Sequence, residues 1–142
     1  MATVQQLLDK KGSKVHSIGP EDSVLQCLEK MAEMNVGALV VLDGEKLVGI
    51  VSERDYARKV FLKGRSSPKT TVGEIMSRRV VCARPEQSVE ECMAVMTDKS
   101  IRHLPVLDHK HVVGVVSIGD LVKSIISDQQ FLIEQLEHYI AG

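Results

Sequence analysis

The sequence predicts an α+β fold built twice, as two consecutive copies of a β-α-β-β-α unit with an added helix at the end. Three observations predict it. Residues 20–60 align without a gap on residues 85–125 at an offset of 65, with 15 of 41 positions identical. Each copy carries apolar residues at spacings of three and four, then two short β-branched runs around a turn. The repeat stops after Ile125, while a helical pattern continues through Phe131, Leu132, Gln135, Leu136 and Tyr139. Fixed-period self-similarity marks a duplicated supersecondary unit that cannot bury its apolar surface alone. The two copies are therefore expected to pack sheet to sheet about a pseudo-twofold axis.

The identical pairs run through the whole repeat, from Pro20/Pro85, Ser23/Ser88 and Cys27/Cys92 to Gly49/Gly114, Ser52/Ser117 and Asp55/Asp120. Upstream, Thr3-Val4 matches Thr71-Val72 at an offset of 68, so the first copy holds three additional residues around Asp9 to Lys14, expected as a loop. Pro20-Glu21-Asp22-Ser23 opens a helix whose apolar side is Val24, Cys27, Leu28, Met31 and Met34; Val89, Cys92, Met93 and Met96 repeat it. After Gly37, Ala38–Leu42 reads as a buried strand, Asp43-Gly44 as a hairpin turn, and Leu47–Val51 as the return strand. Ser52 then starts a second helix expected to reach Leu62, and Ser117 does the same in the second copy. The polar stretch from Lys63 to Lys69 reads as a linker. The expected division is 1–63 for the first repeat, 64–70 for the linker, 71–127 for the second repeat and 128–142 for a C-terminal helix.

A formal net charge of -1 in 142 residues, with only 3% aromatic side chains, argues against a nucleic-acid-binding role. No apolar run approaches the ~18 residues of a membrane span, and the N-terminal residues lack a signal peptide's pattern, so a cytoplasmic location is expected. Cys27, Cys82 and Cys92 are odd in number and lack CxxC spacing, which fits reduced thiols better than disulfides or zinc. His109 and His111 flank a turn but fall short of a metal-ligand set, so no metal is expected. No Ser-His-Asp or Cys-His arrangement is legible, and an enzyme is disfavoured.

The chemistry-bearing signal is Gly49-Ile50-Val51-Ser52-Glu53-Arg54-Asp55, repeated as Gly114-Val115-Val116-Ser117-Ile118-Gly119-Asp120. Glycine admits a ligand or a neighbouring backbone. Serine sits at a helix N-terminus, where amides and the helix dipole favour phosphate. An acid three residues on can accept bonds from vicinal ribose hydroxyls, as in dinucleotide folds. The same Ser-x-x-Asp spacing also describes a capping box in which both side chains satisfy backbone donors. The sequence leaves both readings open.

These junctions resemble the CBS (cystathionine-β-synthase) domain pair, or Bateman module. So do the repeat length, the element order, Val72-Gly73-Glu74-Ile75-Met76 before the second copy, and Arg102-His103-Leu104-Pro105-Val106 at a strand start. The resemblance spans roughly Val4 to Ile126 and implies a tandem CBS pair whose clefts between the copies take AMP, ADP, ATP, NAD or S-adenosylmethionine. It implies that Asp55 and Asp120 hold ribose hydroxyls and that Ser52 and Ser117 contact phosphate. Arg102 and His103 would share the Ser117 phosphate, with Arg54 or Lys14 adding charge and Ile118 lying beside it. Adenine would lie against Val15 to Ser17 and Val36, Gly37 and Ala38 for the Asp120 site. For the Asp55 site it would lie against Val80 to Cys82 and Ile101 to His103.

The first copy has Val36-Gly37-Ala38-Leu39-Val40 where the second has Ile101-Arg102-His103-Leu104-Pro105, so it lacks the basic pair and the two sites are expected to differ. The resemblance also implies a homodimer and an unidentified protein partner that reads the ligand-bound arrangement. The alternative is a structural or interaction protein that acts through its dimer surface and has vestigial clefts.

Overall fold

The computed structural model describes residues 2–141. Its elements in chain order are α1 (Val4–Lys11), β1 (Ser17–Ile18), α2 (Val24–Met34), β2 (Ala38–Asp43), β3 (Lys46–Ser52), α3 (Glu53–Tyr56), a π-helical turn (Ala57–Phe61), α4 (Val72–Ile75), α5 (Val89–Lys99), β4 (His103–Asp108), β5 (His111–Ser117) and α6 (Ile118–Ala141). They form two compact units that are not continuous in sequence. One holds residues 14–81 with 109–112, and the other holds 1–13, 82–108 and 113–142.

In the unit of residues 14–81, β1 pairs parallel to β2 and β2 antiparallel to β3, with Ala38 opposite Ser52 and Val40 opposite Ile50. Gly44, at φ 63, makes the hairpin turn that Asp43-Gly44 predicted. Helix α2 begins where its cap says it should: the Ser23 side chain accepts from the Gln26 amide, and the Gln26 side chain accepts from the Ser23 amide. Asn35 ends it in the left-handed conformation. Val24, Cys27, Met31, Leu39, Val41 and Val51 form the core with Val60, Val72, Ile75 and Met76. The offset-65 counterparts of the first six, Val89, Cys92, Met96, Leu104, Val106 and Val116, are buried in the other unit. There β4 and β5 form a hairpin, and the counterpart of β1 has shrunk to a single parallel bridge between Ala83 and Val106.

The short elements before each repeat explain why the units are discontinuous. Val4 and Gln5 donate to the Gln87 and Pro85 carbonyls, and Val89 donates to Ala2. The same bonds recur in the other unit, where Val72 and Gly73 donate to Asp22 and Pro20 and Val24 donates to Thr70. The element preceding each copy is thus stitched to the helix of the other copy. Met76 and Ser77 lie against Gly49, where an added Cβ would stand 2.6 Å from the Met76 Sδ. Leu8 lies against Gly114 with an equivalent Cβ distance of 2.7 Å. The two motif glycines therefore admit a neighbouring element of the protein.

Two expectations are corrected. The additional residues before the first copy do not form a loop as far as Lys11, because they lengthen α1 to eight residues against four in α4. Gly12, at φ 98, ends that helix. The helix expected from Ser52 to Leu62 is regular only to Tyr56 and then widens to π geometry, with Leu62 donating to Ala57 and Arg65 to Val60. In this turn Val60 stays in the core while Lys59 reaches both Asp55 and the Ile75 carbonyl. The expected C-terminal helix is present and continues the helix that Ser117 opens. Residues Ile118–Ala141 form one uninterrupted α6, anchored near its start by buried Leu121.

Candidate functional site

Both Ser-x-x-Asp junctions sit where the second hairpin strand turns into a helix, and both are capping boxes. The Ser52 amide and hydroxyl donate to Asp55 Oδ2 at 2.9 and 3.1 Å, and the Asp55 amide donates back to Ser52 Oγ at 3.3 Å. The Ser117 amide donates to Asp120 Oδ2 at 2.8 Å, and the Asp120 amide donates to Ser117 Oγ at 3.1 Å. The first helical amide of each junction is also taken: Glu53 donates to the Gly37 carbonyl and Ile118 to the Arg102 carbonyl. In this state the serines and acids satisfy backbone, the second of the two readings left open by the sequence.

Each acid carries one further partner, a lysine that also donates to a main-chain carbonyl. Lys59 Nζ lies 3.2 Å from Asp55 Oδ1 and donates to the Ile75 carbonyl at 2.8 Å. Lys11 Nζ lies 2.6 Å from Asp120 Oδ2 and donates to the Val115 carbonyl at 2.9 Å. Burial pushes the Asp120 carboxyl up, but the bond from Lys11, helped by Ser117, outweighs it and holds the group below its usual range. Oδ2 receives both the Lys11 ammonium and the Ser117 amide, and the Ser117 side chain adds a further bond to the carboxylate. Asp120 lines a groove of about 740 Å³ between α1 and α6, edged by Lys10, Lys11, Lys123 and Ser124. That volume is in the range of small-molecule sites.

The other sequence-derived residues divide between the units. With Ser117, Ile118 and Asp120 stand exposed Arg102, half-buried His103 and Ile101, and half-buried Cys82, whose thiol burial pushes up. The Arg102 main chain, through its bond to Ile118, is brought directly to the Ser117 junction. With Ser52, Arg54 and Asp55 stand Lys14, Val15, Ser17, Gly37, Ala38 and Val80. Ala38 pairs with Ser52, and Gly37 borders a hollow of about 520 Å³ together with Glu53 and Tyr56. The Ser17 carbonyl accepts from Lys30. Lys11 and Lys59 are absent from the sequence-derived set. Lys59 follows Asp55 by four residues on one helix, a legible ion-pair spacing, whereas no local signal links Lys11 to an acid 109 residues away.

Among the described residues no group of three or more His, Cys, Asp or Glu could hold a metal ion, and no helix is long and apolar enough to cross a membrane. The profile of the CBS domain matches the chain twice, over residues 7–61 and 72–127. The chain belongs to the CBS domain family. It is a tandem CBS pair of mixed α+β architecture with a C-terminal helix. Over 99% of its length it is 37% identical to the mitochondrial CBS domain-containing protein CBSX3 of Arabidopsis thaliana, covering 72% of that protein. The crystal structure of the CBS-domain protein NE2398 is 50% identical, with a TM-score of 0.85 over 88% of this chain and 98% of that one. The CBS domain pair of protein MJ0100, solved with 5'-methylthioadenosine and S-adenosyl-L-methionine, is 25% identical, with a TM-score of 0.80 over 90% of this chain and 98% of that one.

Proposed function

We propose that this CBS pair is a regulatory module, not a catalyst, that binds an adenine nucleotide or related adenosine ligand (AMP, ADP, ATP, NAD or S-adenosylmethionine) and changes arrangement when it does. The observation that carries the reading is the likeness to the MJ0100 pair, which holds two adenosine compounds and shares this fold across most of the chain. The duplicated Ser-x-x-Asp junctions support it, because their acids remain half-buried and Asp120 lines a groove. A ribose diol would compete with Lys11 for the Asp120 carboxylate. Arg102, an exposed residue whose carbonyl is bonded at the Ser117 junction and whose counterpart in the first copy is Gly37, supports a tighter phosphate interaction there than at the Ser52 junction.

Two copies are proposed to associate, and a partner protein to read the ligand-dependent state. Coupling of this kind requires a ligand that prefers one arrangement, typically by about 1–3 kcal/mol. Thermal unfolding against a panel of adenosine ligands tests the reading. A ligand at 100 times its Kd raises stability by about 2.7 kcal/mol, while a panel without any shift at millimolar concentration leaves association as the function.

A further inference from the structure

From Ile126 onward every described residue of α6 is exposed, including Ile126, Leu132, Ile133, Leu136, Tyr139 and Ile140. Leu136 is 53% exposed and Ile140 83%, although both lie within a regular helix. Such a face is not stable in water unless something covers it. Its sequence describes the cover. Val122, Ile126, Gln129, Ile133, Leu136 and Ile140 recur at alternating spacings of four and three, the pattern of a coiled-coil seam. Ile125, Leu132 and Tyr139 run along one side of this seam, and Lys123, Gln130 and Glu137 along the other.

We infer that α6 is the interface between two copies of this chain and that the two helices pair antiparallel. The inference rests on the reading that two copies associate, and adds the surface and its orientation. With a twofold axis between the helices at the level of residue 131, Ile126 of one helix meets Leu136 of the other, Val122 meets Ile140, and Gln129 meets Ile133. On one flank Lys123 then faces Glu137 twice over, with Gln130 against Gln130. On the other flank Leu132 meets Leu132, and Ile125 meets Tyr139. A parallel pair would instead set Glu137 against Leu132 and leave Lys123 without an acid, because parallel seams join opposite flanks. Self-complementarity about a twofold axis is what an isologous dimer requires. At about 60–120 Å² of apolar surface per side chain, the six exposed residues of each helix bring about 700–1,400 Å² together, whose upper part reaches the size of a specific interface.

Sedimentation of the full chain at tens of micromolar tests the inference, with thermal unfolding to verify that each variant folds. The wild type sediments as a dimer, and Ile133→Asp as a folded monomer. At low salt Lys123→Glu and Glu137→Lys each weaken the dimer about tenfold, and the double variant restores it. In a Cys82→Ser background, Leu132→Cys forms an intermolecular disulfide and Leu136→Cys does not. A monomeric wild type overturns both this inference and the dimer reading. A dimer that survives Ile133→Asp, or a cross-link at position 136 in place of 132, overturns the helix pairing alone.

Discussion

The contact between Lys11 and Asp120 fastens α1 to the first turn of α6, and removing it has a calculable effect. Lys11→Met keeps most of the apolar stem and deletes the ammonium. Asp120→Asn keeps an oxygen for the Ser117 amide and deletes the charge. The pair is close, at 2.6 Å, but its side chains are 36% and 22% exposed, so solvent screens much of the attraction. A net coupling of about 1 kcal/mol remains, which corresponds to about 3–5 °C in Tm for a chain of this size. Urea unfolding of the wild type, both single variants and the double variant isolates that coupling.

The pH dependence follows from the direction of the Asp120 shift. Its folded pKa lies below the ordinary value of 3.8, so its contribution is complete above that value and is lost as pH falls through the folded pKa. The cycle therefore gives about 1 kcal/mol at pH 7 and low salt, less in 1 M salt, and close to zero at the acid limit. Strictly additive single variants at pH 7 would refute the contact.

Two further outcomes are expected. Gly49→Ala brings a Cβ to 2.6 Å from the Met76 Sδ and 2.9 Å from the Ser77 carbonyl, which is tied to the Ile50 amide and cannot retreat; urea unfolding should show a loss of about 2–3 kcal/mol. Gly114→Ala meets only the movable end of Leu8 and should cost about 1 kcal/mol, so the reverse order would contradict the packing described here. In alkylation at pH 8, Cys82 should react first, because Cys27 and Cys92 are 1% exposed and burial pushes the Cys27 thiol up to about 11, with Asp55 adding to the rise. Mass spectrometry finding Cys27 labelled ahead of Cys82 would contradict that burial.

Much of this fold was legible because the chain states it twice. One copy of Val24, Cys27 and Met31 is an ordinary amphipathic helix, but its recurrence at Val89, Cys92 and Met96 fixes the element order and aligns the hairpins. The misses lie where the two copies differ. The additional residues before Lys14 read as a loop because the second copy lacks them, yet helical bonding runs to Lys11. The π turn after Tyr56 follows from a tertiary demand, Val60 in the core and Lys59 on Asp55, that no local spacing records. The site was legible as a motif and ambiguous as chemistry, since a ribose-binding acid and a capping acid need the same spacing. Lys11 was illegible because the fold alone brings α1 to the second repeat's motif.

Calorimetric titration of AMP, ATP, NAD and S-adenosylmethionine into the wild type and into Asp55→Ala and Asp120→Ala tests the central claim most directly. A ribose hydroxyl bonded to a carboxylate is worth about 1.5–3 kcal/mol, so at least one ligand should bind the wild type and weaken about 10- to 100-fold in a variant that has lost its acid. Equal affinity in all three proteins would show that these acids do nothing beyond capping their own helices, and would contradict the proposed adenosine site.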